Sequence, residues 1–273
     1  MIGKPYFKRN SLHQQGAWMR DAEPPRGVSG SKLWIAFDSK GTELFEFTDE
    51  DSMIANDTSI TFDLSQMRYE GTGHVVYQNS LYYSYPESWK IVKYDITERD
   101  VTAVRYLHHR DAKFYRREQL YSSTPGVADF AVDETGLWVI YANHQDPAFT
   151  DDDFGLGPRD PNDAEDVFYL AKIEPRFMEP LKKFKLRLPR IHRGNGFMVC
   201  GSLYMVRNTD SLRTNIRYAF DAYTEEVKTP KIRFTNPYGN TSYLAYDPRK
   251  REILGWDSKN LVMYPLLIDN NPL

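Results

Sequence analysis

The sequence predicts an all-β fold, a propeller of five four-stranded antiparallel blades. The chain breaks into short segments in which polar and apolar residues alternate, which is the pattern of half-buried strands. Aromatic residues make up 14% of the chain, with 19 Tyr and 15 Phe, and such residues favour pleated surfaces. A hairpin unit also recurs, and units of about 40 to 50 residues with four strands each are typical of propellers. A chain of 273 residues holds about five such units.

The predicted strands follow one another with turn residues between them. Turns are indicated by Gln78-Asn79, by Asp133 to Gly136, by Asp247 to Arg251 and by Asp257 to Asn260. Single strands and hairpins are predicted over residues 32–38, 43–49, 73–85, 90–96, 129–142, 167–174, 196–206, 216–226, 243–257 and 260–268.

The clearest copies of the repeated unit begin at Gly73, Asp129, Gly196 and Tyr243. The stretch from Lys32 to Leu64 supplies a fifth set of strands. Because the repeat continues through the whole sequence, a single domain over residues 1–273 is predicted, with a lead-in over 1–15 and a frayed tail over 268–273. A large β-sandwich built from the same strands is the alternative.

Two stretches are predicted to be long loops. Ala22 to Lys32 is rich in Pro, Gly and Ser, and Asp146 to Asp166 is rich in acidic residues and Pro. Neither holds enough apolar residues to build a strand of its own. We interpret the acidic stretch as a solvated insertion, since its spacing does not match an EF-hand loop.

Composition and motifs exclude several functional classes. The net charge is −3 and the pI is near 6.1, so a general nucleic-acid binder is not expected. The longest apolar run, Leu261 to Ile268, is interrupted by Pro265 and is too short to cross a membrane. The first ten residues lack the apolar core of a signal peptide, so the chain is expected to be either cytosolic or a piece of a longer secreted protein. No G-x-S-x-G, H-E-x-x-H or P-loop motif occurs, and no catalytic residue is predicted.

Four long motifs resemble the core of the olfactomedin domain. They are GTGHVVYQNSLYYSYPESWKIVKYD, DFAVDETGLWVIYA, NGFMVCGSLYMV and YLAYDPRKREILGWDSKNLVMY, and GAWMRD near the start is similar to the family's opening strand. They stand in the family's order from Gly16 to Tyr264, and the start is most similar to gliomedin-like collagen-containing members.

The resemblance implies an extracellular five-bladed propeller that is closed by an N-terminal strand. Gly16 to Asp21 is expected to complete the last blade beside Asn260 to Tyr264. The family implies a non-catalytic recognition module of a secreted or membrane-anchored matrix or synaptic adhesion protein. Its partners are expected to be cell-surface or matrix proteins, and upstream segments of the full-length protein are expected to form an oligomer. The alternatives are a propeller glycoside hydrolase and a purely structural module.

The resemblance also implies sites. Family members hold Ca²⁺ on the axis, and Asp129, Asn195, Gly196 and Leu244 match its ligands, while Gly73 lies where some members bind a second, monovalent ion. Here Ala245 replaces the family's aspartate, which removes one charge and one oxygen donor, so calcium affinity is expected to fall. The family pairs the cysteine at position 200 with one before the opening strand, which this sequence would place upstream of Met1. A buried free thiol is the alternative for Cys200.

Two further surface features are candidates for function. Asn56 and Asn240 each begin an N-x-[ST] sequon, a glycosylation acceptor in a secreted protein. The stretch from Lys182 to Arg193 is basic, and its alternation predicts a strand with one charged face. Lys182, Lys183, Lys185 and Arg187 are candidates for binding a heparan-type polyanion or an acidic protein, with a solvated outer strand as the alternative.

Overall fold

The structure, a computed structural model, describes residues 1–108, 119–121, 126–142, 165–189 and 194–267. Its strands form five antiparallel sheets, numbered here as blades 1 to 5 in chain order. The innermost strands of neighbouring blades contact one another and close into a ring around a central axis. The predicted five-bladed propeller is confirmed, and the β-sandwich alternative is wrong.

The described strands, in chain order, are β1 (Tyr6–Asn10), β2 (Gly16–Arg20), β3 (Leu33–Phe37), β4 (Lys40–Gly41), β5 (Glu43–Phe47), β6 (Ile60–Asp63), β7 (Tyr69–Tyr77), β8 (Ser80–Ser84), β9 (Lys90–Asp95), β10 (Asp100–Tyr106), β11 (Ala128–Asp133), β12 (Gly136–Ala142), β13 (Glu165–Ile173), β14 (Pro180–Pro189), β15 (Asn195–Val199), β16 (Ser202–Val206), β17 (Arg213–Asp221), β18 (Glu226–Lys228), β19 (Ile232–Thr235), β20 (Thr241–Asp247), β21 (Glu252–Asp257) and β22 (Asn260–Pro265).

Each blade begins at the axis and proceeds outwards along the chain. Blade 1 contains β2, β3, β5 and β6, and blade 3 contains β11 to β14. Blade 2 contains β7 to β10, with the short β4 added beside β7. Blade 4 contains β15 to β17, and its outer edge is divided between β18 and β19. Blade 5 contains β20 to β22 and takes its outermost strand, β1, from the start of the chain.

Ring closure by an N-terminal strand is confirmed, but the strand that closes it differs from the prediction. β1 pairs antiparallel with β22, with Tyr6 opposite Met263 and Asn10 opposite Asn260. The segment predicted for this role, Gly16 to Asp21, instead contains the innermost strand of blade 1, paired with β3. The physical reason is burial, because every residue of Gly16–Arg20 is buried whereas Tyr6–Asn10 is half-exposed, as an outer strand must be. The closing strand therefore lies inside the predicted lead-in of residues 1–15.

One short helix was not predicted. Helix α1 (Glu50–Ala55) lies between β5 and β6, and a 3-10 turn follows at Ser65–Met67. Asp49 caps the helix: its carboxylate accepts from the Ser52 amide at 2.8 Å, and the Ser52 hydroxyl accepts from the Asp49 amide at 3.1 Å. This reciprocal pair satisfies amides that have no partner inside the helix. None of the helices in the described ranges has the length and apolar character needed to cross a bilayer.

The apolar core lies between the blades rather than inside any one of them. Residues that alternate along a strand face opposite neighbours, because successive side chains of a strand point to opposite faces. On β20, Tyr243 and Ala245 pack into a cluster with blades 1 and 2. Leu244 and Tyr246 pack into a second cluster with blade 4. Each blade therefore depends on the ring for burial of its two faces.

The predicted loops and tail are described only in part. Ala22 to Lys32 contains neither helix nor strand, as predicted. The acidic stretch lies outside the described residues except for its last two, Glu165 and Asp166, which begin β13. The predicted frayed tail over 268–273 also lies outside the described residues.

Candidate functional site

The sequence-predicted axial residues come together at the centre of the ring. Asp129 on β11 is buried against Gly73 on β7, where an added Cβ would lie only 2.3 Å from the Asp129 Oδ1 atom. Only a glycine at this position therefore allows blades 2 and 3 to approach so closely. We call the group formed by Gly73, Tyr121, Asp129, Asn195 and Gly196 the axial centre.

Tyr121 is the member of the axial centre that sequence reasoning missed. It lies before β11, and its hydroxyl donates to Asp129 Oδ2 at 2.6 Å. Both side chains are buried. Burial raises the pKa of Asp129 to about 7, although the Tyr121 hydrogen bond acts in the opposite direction. Burial, reinforced by the Asp129 charge, also raises the pKa of Tyr121 well above its ordinary value, so the phenol remains protonated.

Asn195 fixes the axial end of blade 4. Its Oδ1 atom accepts from the Gly196 amide at 2.8 Å, and its Nδ2 donates to the Ser242 carbonyl at 3.5 Å. The same carbonyl accepts from the Thr72 hydroxyl at 2.6 Å. Blades 2, 4 and 5 thus meet at one buried carbonyl oxygen, and the Asn195 side chain is used for internal hydrogen bonds.

Because Gly196 has no side chain, the Tyr121 hydroxyl can lie against its backbone. A Cβ at this position would lie 3.1 Å from the Tyr121 hydroxyl and 2.7 Å from the Met205 sulfur. The two other predicted positions lie on β20. Leu244 packs its side chain into the cluster with blade 4, and Ala245 contributes a methyl group to the core beside blade 1 and to a small cavity near the axis.

The described residues of the axial centre do not fit calcium well. Calcium takes six to eight oxygen ligands, usually with several carboxylates among them. The axial centre supplies one carboxylate, Asp129, and one oxygen of that carboxylate already accepts from Tyr121. Among the described parts of the chain, no group of three or more His, Cys, Asp and Glu side chains could hold a metal ion. Calcium binding, and a second ion at Gly73, stay predictions.

Cys200 lies on the surface at the turn between β15 and β16. Its φ is 49°, and its amide donates to Glu134 Oε2 at 2.9 Å. Partial burial, together with the Glu134 charge, raises the pKa of the thiol to about 11. The thiol is therefore protonated and a weak nucleophile near neutral pH. Cys200 is the single cysteine of the sequence, so pairing with an upstream cysteine stays a prediction.

The two sequons differ in exposure. Asn56 is exposed at the C-cap of α1 with φ 59°, and Thr58 of the same sequon is also exposed. Asn240 is half-buried, and its backbone amide donates to Asp257 Oδ1 at 2.7 Å. Ser242 of that sequon is buried in β20. The surroundings of Asn56 therefore suit a glycan better than those of Asn240.

The predicted basic strand is β14, the outer strand of blade 3. Phe184 and Leu186 are buried towards blade 4, and Lys183, Lys185 and Arg187 alternate with them. The Lys183 ammonium lies 4.2 Å from the centre of the Tyr169 ring, and that of Lys185 lies 5.9 Å from the same ring. Lys182 differs, because it pairs with Glu225 of blade 4 at 2.8 Å. The four candidate cations thus divide between two sides of the strand.

Comparisons with known proteins find relatives that match almost the whole of this chain. Myocilin from Oryctolagus cuniculus is 28% identical over 272 residues, which cover 97% of this chain and 51% of that protein. Myocilin from Homo sapiens is 27% identical over 271 residues, which cover 97% of this chain and 49% of that protein. The chain thus spans about half the length of the curated relatives it matches. The similarity to gliomedin-like members stays a prediction.

Among solved structures, BamB from Moraxella catarrhalis aligns at 10% identity with a TM-score of 0.40, covering 89% of this chain and 61% of that one. A likeness this distant carries no weight for the function. The family model of the olfactomedin-like domain, in contrast, matches residues 1–271. Since this match extends over nearly the whole sequence, the chain belongs to the olfactomedin-like domain family.

Proposed function

We propose that the chain is an extracellular recognition module that binds matrix or cell-surface partners and catalyses no reaction. Membership of the olfactomedin-like family supports this proposal, as does the rigid five-bladed ring, which holds loops and blade edges in fixed positions.

The observation that carries the proposal is a group of lysines that lie over tyrosine rings along the seam between blades 2 and 3. On blade 3, the Lys183 and Lys185 ammonium groups lie over the Tyr169 ring. On blade 2, the Lys93 ammonium lies 6.0 Å from the centre of the Tyr82 ring, and both rings belong to one apolar cluster. Aromatic rings attract cations through their negative faces, so these lysines are held in place. Ordered positive charge suits an anionic partner, such as a sulfated glycan or an acidic protein surface.

Heparin-affinity chromatography tests the surface. We expect the Lys183→Gln/Lys185→Gln double variant to elute at lower salt than the wild type, because each lost charge removes an ionic contact. The control is Lys40→Gln/Lys228→Gln, which removes two exposed lysines that form ion pairs elsewhere on the ring. Equal elution of the two double variants would show that β14 is not the binding surface.

Binding of the labelled domain to matrix-producing cells tests recognition itself. Treating the cells with heparan lyase separates the two kinds of partner: binding that is lost depends on a glycan, and binding that persists depends on a protein. A domain that binds no cell surface under either condition would leave the structural-module alternative in place.

The remaining features of the proposal rest on the family resemblance. We propose that Cys200 pairs with a cysteine upstream of Met1, that Asn56 carries a glycan, and that segments outside the matched region make the full-length protein an oligomer. Linked copies of a weak binding site raise the overall affinity, because later contacts form within one assembly. Mass spectrometry of the secreted full-length protein tests all three features.

The hydrolase alternative finds little support at the axis. Glycoside hydrolysis generally uses two carboxyl groups about 5 to 9.5 Å apart. The described axial centre has one carboxylate, and its Oδ2 atom accepts from the Tyr121 hydroxyl. We therefore propose recognition rather than turnover for this domain.

A further inference from the structure

The Asp129 carboxylate is enclosed by protein atoms. Its Oδ2 atom accepts from the Tyr121 hydroxyl at 2.6 Å. Its Oδ1 atom faces Gly73 so closely that even a methyl group on that glycine would overlap it. A carboxylate removed from water needs a hydrogen-bond donor or a cation, because an unpaired buried charge is costly. Tyr121 supplies that donor from within the chain.

The side chains around the carboxylate give a cation little else to bind. Ala245 contributes a methyl group instead of the oxygen that the family resemblance implies there. The Asn195 amide oxygen accepts from the Gly196 backbone. A calcium ion at Asp129 would gain only one carboxylate, one oxygen of which already accepts from Tyr121, and this is too few for the site that calcium usually selects.

We propose that the axis of this propeller is closed without a metal ion, and that the Tyr121 hydroxyl satisfies Asp129 in place of a cation. Gly196 is part of this arrangement, since a side chain there would crowd the Tyr121 hydroxyl at 3.1 Å. The domain thus departs from the calcium-dependent members that its sequence resembles. This inference concerns the interior of the ring and does not rest on the proposed binding surface.

Thermal unfolding of the purified chain in about 1 mM CaCl2 and in EDTA tests whether the axis binds calcium. This concentration reaches the weak end of extracellular calcium sites. We expect the same midpoint in both buffers, and no heat of binding when CaCl2 is titrated into the protein. A midpoint several degrees higher in calcium would overturn the proposal, because a ligand that binds only the folded state must stabilise it.

The Tyr121→Phe variant tests whether the Tyr121 hydroxyl satisfies Asp129, because it removes the hydroxyl and keeps the aromatic side chain. We expect its midpoint to fall by roughly 2–10 °C in both buffers, the loss that follows when a buried carboxylate lacks its hydrogen-bond donor. Tyr223→Phe is the control, because that tyrosine is 71% exposed. An unchanged midpoint in Tyr121→Phe would show that the hydroxyl does not support Asp129.

Discussion

The Arg20 guanidinium donates through Nη2 to the Glu50 carboxylate at 2.6 Å and ties the innermost strand of blade 1 to helix α1. Its Nη1 atom donates to Asp247 at 3.2 Å and also to Glu252, both in blade 5. Lys8 on β1 donates to the other oxygen of Glu50 at 2.5 Å. Blade 1, blade 5 and the N-terminal strand therefore share one charged network where the ring closes.

We predict that Arg20→Met lowers the free energy of unfolding by about 3–5 kcal/mol, because it leaves the buried Asp247 and Glu252 carboxylates without their cation. Urea denaturation measures this loss. Lys228→Met is the control: it breaks an exposed pair with Asp221, and we expect a loss below about 1 kcal/mol. Similar small losses in both variants would show that the network adds nothing to closure.

We expect Glu50 to contribute to the loss of folding stability at acidic pH. Burial raises the pKa of Glu50, but the Lys8 hydrogen bond and the charges of Lys8, Arg20 and Lys250 outweigh it and hold the pKa below its ordinary value. A lowered pKa in the folded state contributes stability above the ordinary value of 4.5, and this stability is lost as the pH falls through the folded-state value.

We therefore expect the unfolding midpoint of Glu50→Gln to change less than that of the wild type between about pH 5 and pH 3. Midpoints measured across this range by circular dichroism provide the comparison. The exposed Glu226→Gln variant is the control. Parallel curves for the wild type and Glu50→Gln would contradict the assignment.

Trp18 links the same two blades through its indole. The side chain is fully buried in blade 1, and its Nε1 donates to the Gly255 carbonyl of blade 5 at 2.8 Å. We predict that Trp18→Phe costs about 2–3 kcal/mol of unfolding free energy, since it removes the hydrogen bond and leaves space in the core. The exposed Tyr223→Phe variant should be neutral, and an equal response of the two variants in urea would refute this role.

Close approach at the axis makes Gly73 sensitive to substitution. In Gly73→Ala the new methyl group would lie 2.6 Å from the Asp129 Cα, a backbone atom that cannot move freely. We expect a loss of about 1–3 kcal/mol by urea denaturation. In Gly255→Ala the nearest atoms are side-chain atoms of Val262 at 3.0 Å and Tyr264 at 3.1 Å, so the loss should be smaller. The reverse order would contradict the packing at the axis.

Expression in a secretory cell should separate the two sequons. We predict that Asn56→Gln removes most of any N-linked glycan, because Asn56 is exposed at a helix end whereas Asn240 is half-buried. Gel mobility before and after treatment with a glycosidase that removes N-linked glycans gives the readout. A glycan that disappears in Asn240→Gln and persists in Asn56→Gln would reverse the assignment.

Much of the fold follows from local sequence. Hairpins such as β11 to β12 are recognisable because Phe130, Val132, Leu137 and Val139 alternate around a tight turn. The closing strand was missed because Tyr6–Asn10 is largely polar and shows no strand pattern, and the role was assigned to Gly16–Asp21 from the family resemblance instead. Pairing between residues at opposite ends of the chain leaves no local pattern.

The candidate site was predictable only in outline. The family resemblance implied an axial position for Asp129 and Asn195, and both lie on the innermost strands of their blades. Tyr121 lies in a segment without periodic pattern, so no local signal predicts its contact with Asp129. Helix α1 was not predicted because its six residues are too few to show a helical period. The capping pair formed by Asp49 and Ser52 was its one local signal.

The pairing of β1 with β22 imposes an order on biosynthesis. Asn10 and its partner Asn260 are separated by 250 residues, so β1 leaves the ribosome long before the strand that it must join. At typical rates of about 5–20 residues per second, β1 waits roughly 12 to 50 seconds with both edges unpaired. During that interval Tyr6 and Phe7 are open to chaperones and to neighbouring nascent chains. Closure of the ring therefore has to wait until β22 has been synthesised.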